Sequence, residues 1–227
     1  MTQKLTILFD LDGTLVDTAP DLINAHNHVM EKFGYKSKSD NEIKSLNVKG
    51  AGAMISRSLW KSAKLELKKI KEKEIKDKMV IEFVDYYGKN ILVKSKLING
   101  TKEFLIWCKK NKISMGVCTN KQEHLAIDLL KKIGINNYFE YVAGSDTFDY
   151  CKPDARHLTS VIEIMGGDIK KTIMIGDSEV DSKSAENASL PFILLEEGYT
   201  DVKTSQIKFD HLVKDFNGLD KIITNYL

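Results

Sequence analysis

Five short apolar runs recur along the chain and constrain its fold more than any other feature. Their residues do not alternate between apolar and polar, which is typical of strands covered on both faces, as in a parallel sheet. Helical segments lie between them, such as QEHLAIDLLKKIG and ARHLTSVIEIMGG. This alternation predicts an α/β fold with a doubly wound, mostly parallel sheet, which binds ligands at the carboxyl ends of its strands. The runs are KLTILFD, ISMGVCT, YVAGS, TIMIGD and PFILLEE.

The alternation is interrupted after the first strand. Residues 17–96 have helical patterns only, beginning with a helix that Thr18 can cap, with Asp21 in its first turn and Gly34 at its end. We interpret residues 17–96 as a small inserted helical domain. The catalytic core would then consist of residues 1–16 and 97–227.

Composition and charge exclude several classes of function. The chain has 227 residues, 42% of them hydrophobic, and a net charge of +2, so electrostatics gives no reason to expect binding to nucleic acid or to a membrane. Residues 64–78 hold seven lysines but also four acidic residues. Glu72 and Lys76 are spaced by four, as are Glu74 and Lys78, which is typical of a solvated helix face.

The small number of cysteines and the lack of long apolar runs predict a cytoplasmic protein. Three cysteines, at positions 108, 118 and 151, are too few and too far apart for a disulfide framework, which favours a reducing compartment. The first residues lack the pattern of a signal peptide, and the sequence has no run of 18 apolar residues.

Two aspartates follow the first apolar run directly. Asp10 and Asp12 are two residues apart, which in an extended chain places both side chains on the same side. Two carboxylates this close disfavour each other's charge unless a cation lies between them, and a divalent metal ion is the usual solution. Alone, this pattern is equally compatible with a purely structural role.

The later strands end in further polar residues. Thr119 and Asn120 follow the second run, Lys152 precedes a proline, and Asp177 with Asp181 follows the run TIMIGD. Each has an ordinary alternative: a helix cap for the first pair, a surface position for the lysine, and favourable helix-dipole charges for the last pair. Together, most of them at the carboxyl ends of strands, they predict one shared site.

The motifs, in their order, resemble the haloacid dehalogenase-like superfamily of phosphatases. DLDGT is similar to its first motif, CTN to its second, Lys152 of CKPDA to its third and GDSEVD to its fourth. The inserted helical domain looks like the mobile cap of this family. Within the superfamily, segments such as FDLDGTLVDTAPDL and TNKQEHLAIDLLKKIGI are most similar to phosphoglycolate phosphatases.

The resemblance implies an aspartyl-phosphate mechanism with Mg²⁺ as cofactor. Asp10 would be the nucleophile, and Asp12 would protonate the leaving oxygen and later take a proton from water. The metal would be held by Asp10, Asp177 and the backbone carbonyl of Asp12, with Asp181 behind these ligands. Gly13 would let the chain turn sharply off the strand.

Phosphate binding and substrate choice are expected in different places. Thr119, Asn120 and Lys152 would hold the phosphoryl oxygens. Recognition of a substrate carboxylate would fall to the cap, where VKGAGA suits an anion-binding turn before a helix. Its candidate residues are Lys49, Gly50, Gly52 and Arg57; the alternative for these glycines is a simple turn between helices.

Several functions remain open at this point. The expected substrate is a small phosphorylated metabolite, handled by a monomer or a homodimer. Phosphoglycolate leads, but a pyrophosphatase or another small-metabolite or sugar phosphate phosphatase has the same core residues. A phosphomutase of the superfamily is a weaker alternative, and a scaffold without catalysis is the weakest, because Asp10, Asp12, Lys152 and Asp177 are all present.

Overall fold

The computed structural model describes residues 4–39, 54–55, 70–200 and 202–227. The chain divides into two compact units, one formed by Met1–Asp17 with Lys96–Leu227 and the other by Thr18–Ser95. This division falls one residue inside each of the boundaries, 17 and 96, that the sequence pattern indicates.

The first unit is built on a six-stranded sheet in which every pair of neighbouring strands is parallel. Its order is β5-β4-β1-β6-β7-β8, so the chain starts in the middle and winds outward to both edges. The predicted α/β fold is thereby confirmed. The strands are β1 (Thr6–Phe9), β4 (Ser114–Cys118), β5 (Tyr141–Ala143), β6 (Thr172–Gly176), β7 (Phe192–Leu195) and β8 (His211–Val213).

Burial on both faces of the sheet explains why the strand sequences do not alternate. All four residues of β1 are buried, as are all five of β4 and of β6. Leu8 belongs to a core cluster with Val161 and Met174, whereas the ring of Phe9 packs against Phe104, with ring centroids 6.3 Å apart. Successive residues of one strand therefore serve two different apolar layers.

The helices of the first unit follow the strands in sequence. They are α3 (Thr101–Lys110), α4 (Glu123–Lys132), α5 (Ala155–Ile164), α6 (Glu179–Asn187) and α7 (Leu219–Ile223). Helix α4 lies within the segment QEHLAIDLLKKIG and α5 within ARHLTSVIEIMGG, the two segments for which the sequence predicts helices. Helix α6 follows β6 directly and carries part of the site described below.

In the second unit, α1 (Ala19–Lys32) packs against α2 (Ile70–Lys89). The ring of His28 stacks on Tyr86 with centroids 3.8 Å apart, and Glu82 accepts contacts from His28 at 3.0 Å and from Lys32 at 2.7 Å. In the acidic and basic segment of α2, residues 74–78 are exposed apart from the half-buried Lys76. Residues 64–69 of that segment lie outside the described residues.

The start of α1 differs from the predicted capping pattern. Thr18 is the N-cap residue, but its side chain makes no capping hydrogen bond. The buried carboxylate of Asp21 instead accepts hydrogen bonds from the backbone N–H groups of Val93, Lys94 and Ser95, at 2.8–3.0 Å, and from the Ser95 hydroxyl at 2.6 Å. Asp21 therefore joins the first helix of this unit to its last residues, which lie more than seventy positions later in sequence.

A two-stranded antiparallel ribbon marks the place where the chain leaves the first unit and returns to it. It consists of β2 (Val16–Asp17) and β3 (Lys96–Leu97), with Val16 opposite Leu97 and Asp17 opposite Lys96. The N–H of Ile98 extends the pairing by donating to the carbonyl of Leu15 at 3.1 Å. The exit and the return of the chain are thus paired residue by residue.

No helix in the described ranges is both long enough and apolar enough to cross a membrane. All three cysteines are free thiols. Cys108 and Cys118 are buried, and that burial raises the pKa of each thiol to about 12.

Replacing Asp21 by alanine should destabilise the second unit by about 3 kcal/mol, because partly buried backbone N–H groups lose their acceptor. Asp21→Asn should cost less, since one side-chain oxygen still accepts. The measurement is urea unfolding followed by circular dichroism. The matched control is Asp128→Ala, which removes an exposed ion pair with Lys132 and should cost under about 0.5 kcal/mol. Equal midpoints for the two alanine variants would contradict the anchoring role.

Candidate active site

Three buried carboxylates meet at the carboxyl end of the central strands. Asp10 follows β1, and its N–H continues the sheet by donating to the carbonyl of Ile175 at 2.9 Å. Asp177 follows the neighbouring strand β6, and Asp181 lies in the first turn of α6. One ligand oxygen from each of the three lies within 4.8 Å of the others. Neighbouring parallel strands end at the same edge, which is why residues so distant in sequence meet here.

Lys152 binds two of these carboxylates. Its ammonium nitrogen lies 2.7 Å from Oδ1 of Asp10 and 2.6 Å from Oδ1 of Asp181, and its side chain is 2% exposed. The side-chain amide of Asn120 donates to the backbone carbonyl of Lys152 at 3.1 Å, which holds the loop that carries the lysine. The sequence-predicted residues Asp10, Asn120, Lys152 and Asp181 are therefore directly connected.

Asp181 has a positioning geometry. Its Oδ1 contacts Lys152, while its Oδ2 accepts hydrogen bonds from the N–H of Ser178 at 3.1 Å and from the Ser178 hydroxyl at 2.6 Å. Ser178 and Asp181 also form a capping box at the start of α6. Both oxygens of the Asp181 carboxylate therefore have hydrogen-bond partners, and the residue connects Lys152 to the start of α6.

Asp177 is held by two residues that the sequence did not single out. Its Oδ1 accepts a hydrogen bond from the hydroxyl of Thr14 at 2.8 Å, and its Oδ2 accepts one from the N–H of Tyr199 at 2.7 Å. The hydroxyl of Tyr199 donates in turn to Asp17. Thr14 lies in the first motif, DLDGT, and Tyr199 lies two residues after the run PFILLEE, but nothing in these segments indicates which atoms they contact.

Two glycines make room for Asp177. Gly13 has φ +83°, and a Cβ there would lie 2.5 Å from Oδ2 of Asp177. A Cβ on Gly198 would lie 2.0 Å from the Cβ of Asp177. The predicted sharp turn at Gly13 is present, and it also brings the backbone against a carboxylate.

Asp12 lies apart from the buried cluster and has its own cation. Lys121 places its ammonium nitrogen 2.7 Å from Oδ1 and 3.0 Å from Oδ2 of Asp12. Thr119 is buried on the same loop, and its hydroxyl oxygen accepts the N–H of Lys121 at 3.2 Å. Sequence reasoning missed Lys121, although it directly follows the Thr-Asn pair in CTNK.

The candidate substrate-binding residues of the inserted segment are Lys49, Gly50, Gly52 and Arg57. All four lie outside the described residues.

Burial and crowding set the charges of the cluster. Burial raises the pKa of Asp10 to about 7, even though Lys152 acts in the opposite direction. The pKa of Asp177 is raised well above its usual value, first by burial and then by the charges of Asp10 and Asp181. Burial lowers the pKa of Lys152, but Asp10 and Asp181 outweigh it and hold that pKa above its usual range.

The cluster fits a hard divalent cation. Among the described residues, the three buried carboxylates cluster around one ammonium group, which contacts two of them, so this group supplies too little positive charge to keep every carboxylate ionised. Carboxylate oxygens are the ligands that hard cations prefer, and a cation would reverse the raised pKa values. Asp10, Asp177 and Asp181 therefore form an acidic cluster suited to a metal ion.

The family of the chain follows from comparison with known proteins. The model of haloacid dehalogenase-like hydrolases matches residues 7–195, and the chain belongs to this family, as one of its phosphatases. The phosphoglycolate phosphatase of Agrobacterium fabrum is 38% identical over 212 residues, which cover 93% of this chain and 89% of the relative. That of Caulobacter vibrioides is 34% identical over 95% of this chain and 89% of the relative.

A solved structure agrees in fold over nearly the whole chain. The crystal structure of a predicted phosphoglycolate phosphatase from Haemophilus somnus 129PT superposes with a TM-score of 0.88 at 29% identity. The match covers 98% of this chain and 99% of that one. The family model thus gives the hydrolase class, and the named relatives are phosphatases within it.

The raised pKa of Asp10 predicts how the metal-free protein responds to pH. Because the pKa in the fold is about 7 against an ordinary 3.8, the folded state binds more protons than the unfolded state between these values. The contribution of Asp10 to the free energy of unfolding should therefore decrease as the pH rises from about 4 to 7. The measurement is urea unfolding in chelator across that range, for the wild type and for Asp10→Asn.

The difference between the two proteins isolates the effect of Asp10, since other groups titrate in both. The wild type should lose stability relative to Asp10→Asn as the pH rises, and saturating Mg²⁺ should reverse that trend by binding the ionised carboxylates. A difference that stays constant with pH would contradict the assigned cause.

Proposed function

We propose that the protein is a Mg²⁺-dependent phosphoglycolate phosphatase that hydrolyses 2-phosphoglycolate to glycolate and phosphate through an aspartyl-phosphate on Asp10. The observation that carries the chemistry is the buried Asp10 at the end of β1, paired with Lys152 and clustered with Asp177 and Asp181. The substrate is supported by relatives of 30–38% identity that bear this name.

Asp10 acts as the nucleophile. Lys152 contacts one oxygen of this carboxylate and limits its rotation, so that it can approach phosphorus in a defined orientation. Asp10, Asp177 and the backbone carbonyl of Asp12 would hold the Mg²⁺ ion, which neutralises the charge of the phosphate facing Asp10. Asp181 accepts a hydrogen bond from the same ammonium group at 2.6 Å and so helps to keep Lys152 in place.

The phosphoryl oxygens are assigned to Thr119, Asn120 and Lys152. The Thr119 hydroxyl and the Lys152 ammonium are buried polar groups near the end of the central strands. Asn120 gives one amide hydrogen to the carbonyl of Lys152, and its amide has a second for a phosphoryl oxygen. In this arrangement Asn120 both binds phosphate and supports the lysine.

Asp12 moves the proton in both half-reactions. As Asp10 forms its bond to phosphorus, the bond to the leaving oxygen breaks, its electron pair stays on that oxygen, and Asp12 supplies the proton. Glycolate departs and Asp12 becomes a carboxylate. Asp12 then takes a proton from water as the water oxygen attacks phosphorus, and the electron pair of the broken bond returns to Asp10.

Selection of glycolate is assigned to the inserted domain. Lys49, Gly50, Gly52 and Arg57 are the proposed contacts for the substrate carboxylate, because backbone amides before a helix and a cation are groups that bind an anion. We also propose that the enzyme works in the cytoplasm as a monomer or homodimer. Hydrolysis of pyrophosphate or of another small phosphomonoester is the alternative that uses the same core residues.

The test is phosphate release from a panel containing phosphoglycolate, sugar phosphates and pyrophosphate, ranked by kcat/KM with Mg²⁺ and then with chelator. Phosphoglycolate should lead by more than about tenfold, a difference of about 1.4 kcal/mol in transition-state binding. Chelator should abolish turnover, because the clustered carboxylates then face the phosphate without a metal ion.

Asp10→Asn should release no phosphate above background, and Asp128→Asn, an exposed change on α4, should behave as the wild type. If pyrophosphate or several sugar phosphates match phosphoglycolate, the substrate assignment is wrong and the chemistry stands. Full activity of Asp10→Asn would refute the chemistry itself.

A further inference from the structure

We propose that Lys121 is a positioning residue for Asp12, fixing the carboxyl group that moves the proton to and from the substrate. The inference rests on the proposed function, because it requires Asp12 to act as acid and base. None of the four motifs assigns Lys121 a role, and its contact with Asp12 joins residues 109 positions apart.

The contact has the geometry of a clamp. The ammonium nitrogen lies 2.7 Å from one oxygen of Asp12 and 3.0 Å from the other, so it bridges the carboxylate and opposes its rotation. The side chain of Lys121 is 5% exposed, against 18% for that of Asp12. A lysine loses much side-chain entropy and hydration when it is buried, so this placement needs the partner that it has.

The backbone of Lys121 is held in place by hydrogen bonds of its own, independently of the contact between its side chain and Asp12. Its N–H donates to the Thr119 hydroxyl, and its carbonyl accepts the N–H of Ser145 at 2.8 Å. Gly144 allows this close approach, because a Cβ there would lie 2.7 Å from the carbonyl oxygen of Lys121 and 2.2 Å from the nitrogen of Glu123. The loops after β4 and β5 therefore hold the base of the lysine rigidly.

Asp12 must meet two different oxygens in one catalytic cycle, first the leaving oxygen and then that of the attacking water. The ammonium group of Lys121 contacts both oxygens of its carboxylate, so it restricts the orientation in which the carboxyl group faces them. It thereby keeps the carboxyl group within the narrow distance that proton transfer requires.

A positioning role for Asp12 can be separated from a structural role by the leaving group. An alkyl leaving oxygen needs a proton from Asp12, whereas p-nitrophenolate leaves without one. In the series ethyl, phenyl and p-nitrophenyl phosphate, the leaving oxygen depends less and less on a proton from Asp12. None of the three substrates carries a carboxylate. The rate to compare is that of leaving-group release in a single turnover, because it excludes the water step that all substrates share. Lys121→Gln and Lys121→Met should lower this rate about 10- to 100-fold on ethyl phosphate, and less than about threefold on p-nitrophenyl phosphate.

Three comparisons complete the design. Lys132→Gln, which removes an exposed lysine from α4, is the matched control and should leave all three substrates unchanged. Asp12→Asn defines the full dependence on the leaving group. The double variant Asp12→Asn/Lys121→Gln should be no slower than Asp12→Asn alone, because the lysine acts through Asp12. Release of p-nitrophenolate in a single turnover shows that the variants are folded, because that step needs no proton from Asp12.

The outcomes distinguish the two levels of inference. Equal loss of the single-turnover rate on all three substrates, or no loss on any, overturns the positioning role. Loss restricted to phosphoglycolate also overturns it, and would assign Lys121 to the substrate carboxylate. If Asp12→Asn itself shows no dependence on the leaving group, the acid–base role of Asp12 in the proposed function fails, and the role of Lys121 with it.

Discussion

The ammonium group of Lys152 lies buried between the carboxylates of Asp10 and Asp181, and the rest of the site depends on that contact. Lys152 partly offsets the effect of burial on the pKa of Asp10, and without it three carboxylates this close in a dry environment would bind protons more tightly still. The same contact joins the ends of β1 and β6 to the loop that carries the lysine. It therefore fixes the shape of the site as well as its charge.

In the described part of the chain, the site contains two lysines, each of which pairs with a different aspartate. Lys152 contacts Asp10, the proposed nucleophile, and Lys121 contacts Asp12, which is more exposed. Both lysines are held by the loop that follows β4, since Asn120 supports the carbonyl of Lys152 and Thr119 accepts the N–H of Lys121. The short segment CTNK thus holds in place the lysine partners of both Asp10 and Asp12, the two aspartates proposed to be catalytic.

The features of this structure that could be predicted from sequence are those that leave a pattern in a short stretch of the chain. Buried strands leave continuous apolar runs, and polar residues at their ends share one edge, so the sheet and Asp10, Lys152 and Asp177 could be identified. Strand β8 could not, because its three residues are half-buried or exposed and form no apolar run. The partners of Lys121 and Asp21 lie 109 and more than 70 residues away, a distance at which sequence alone shows an ordinary lysine and an ordinary helix cap.

The ribbon of β2 and β3 has a consequence for how such chains diversify. Asp17 and Lys96 face each other in an antiparallel pair of strands, so residues of the first unit hold the two ends of the inserted segment together. In terms of strand pairing, residues 18–95 connect β2 and β3 as the loop of a β-hairpin connects its two strands. Selection can therefore lengthen, shorten or exchange that segment while the order of the sheet and the carboxylates at its edge stay unchanged. One phosphate-handling core can in this way be inherited with many different selectivities.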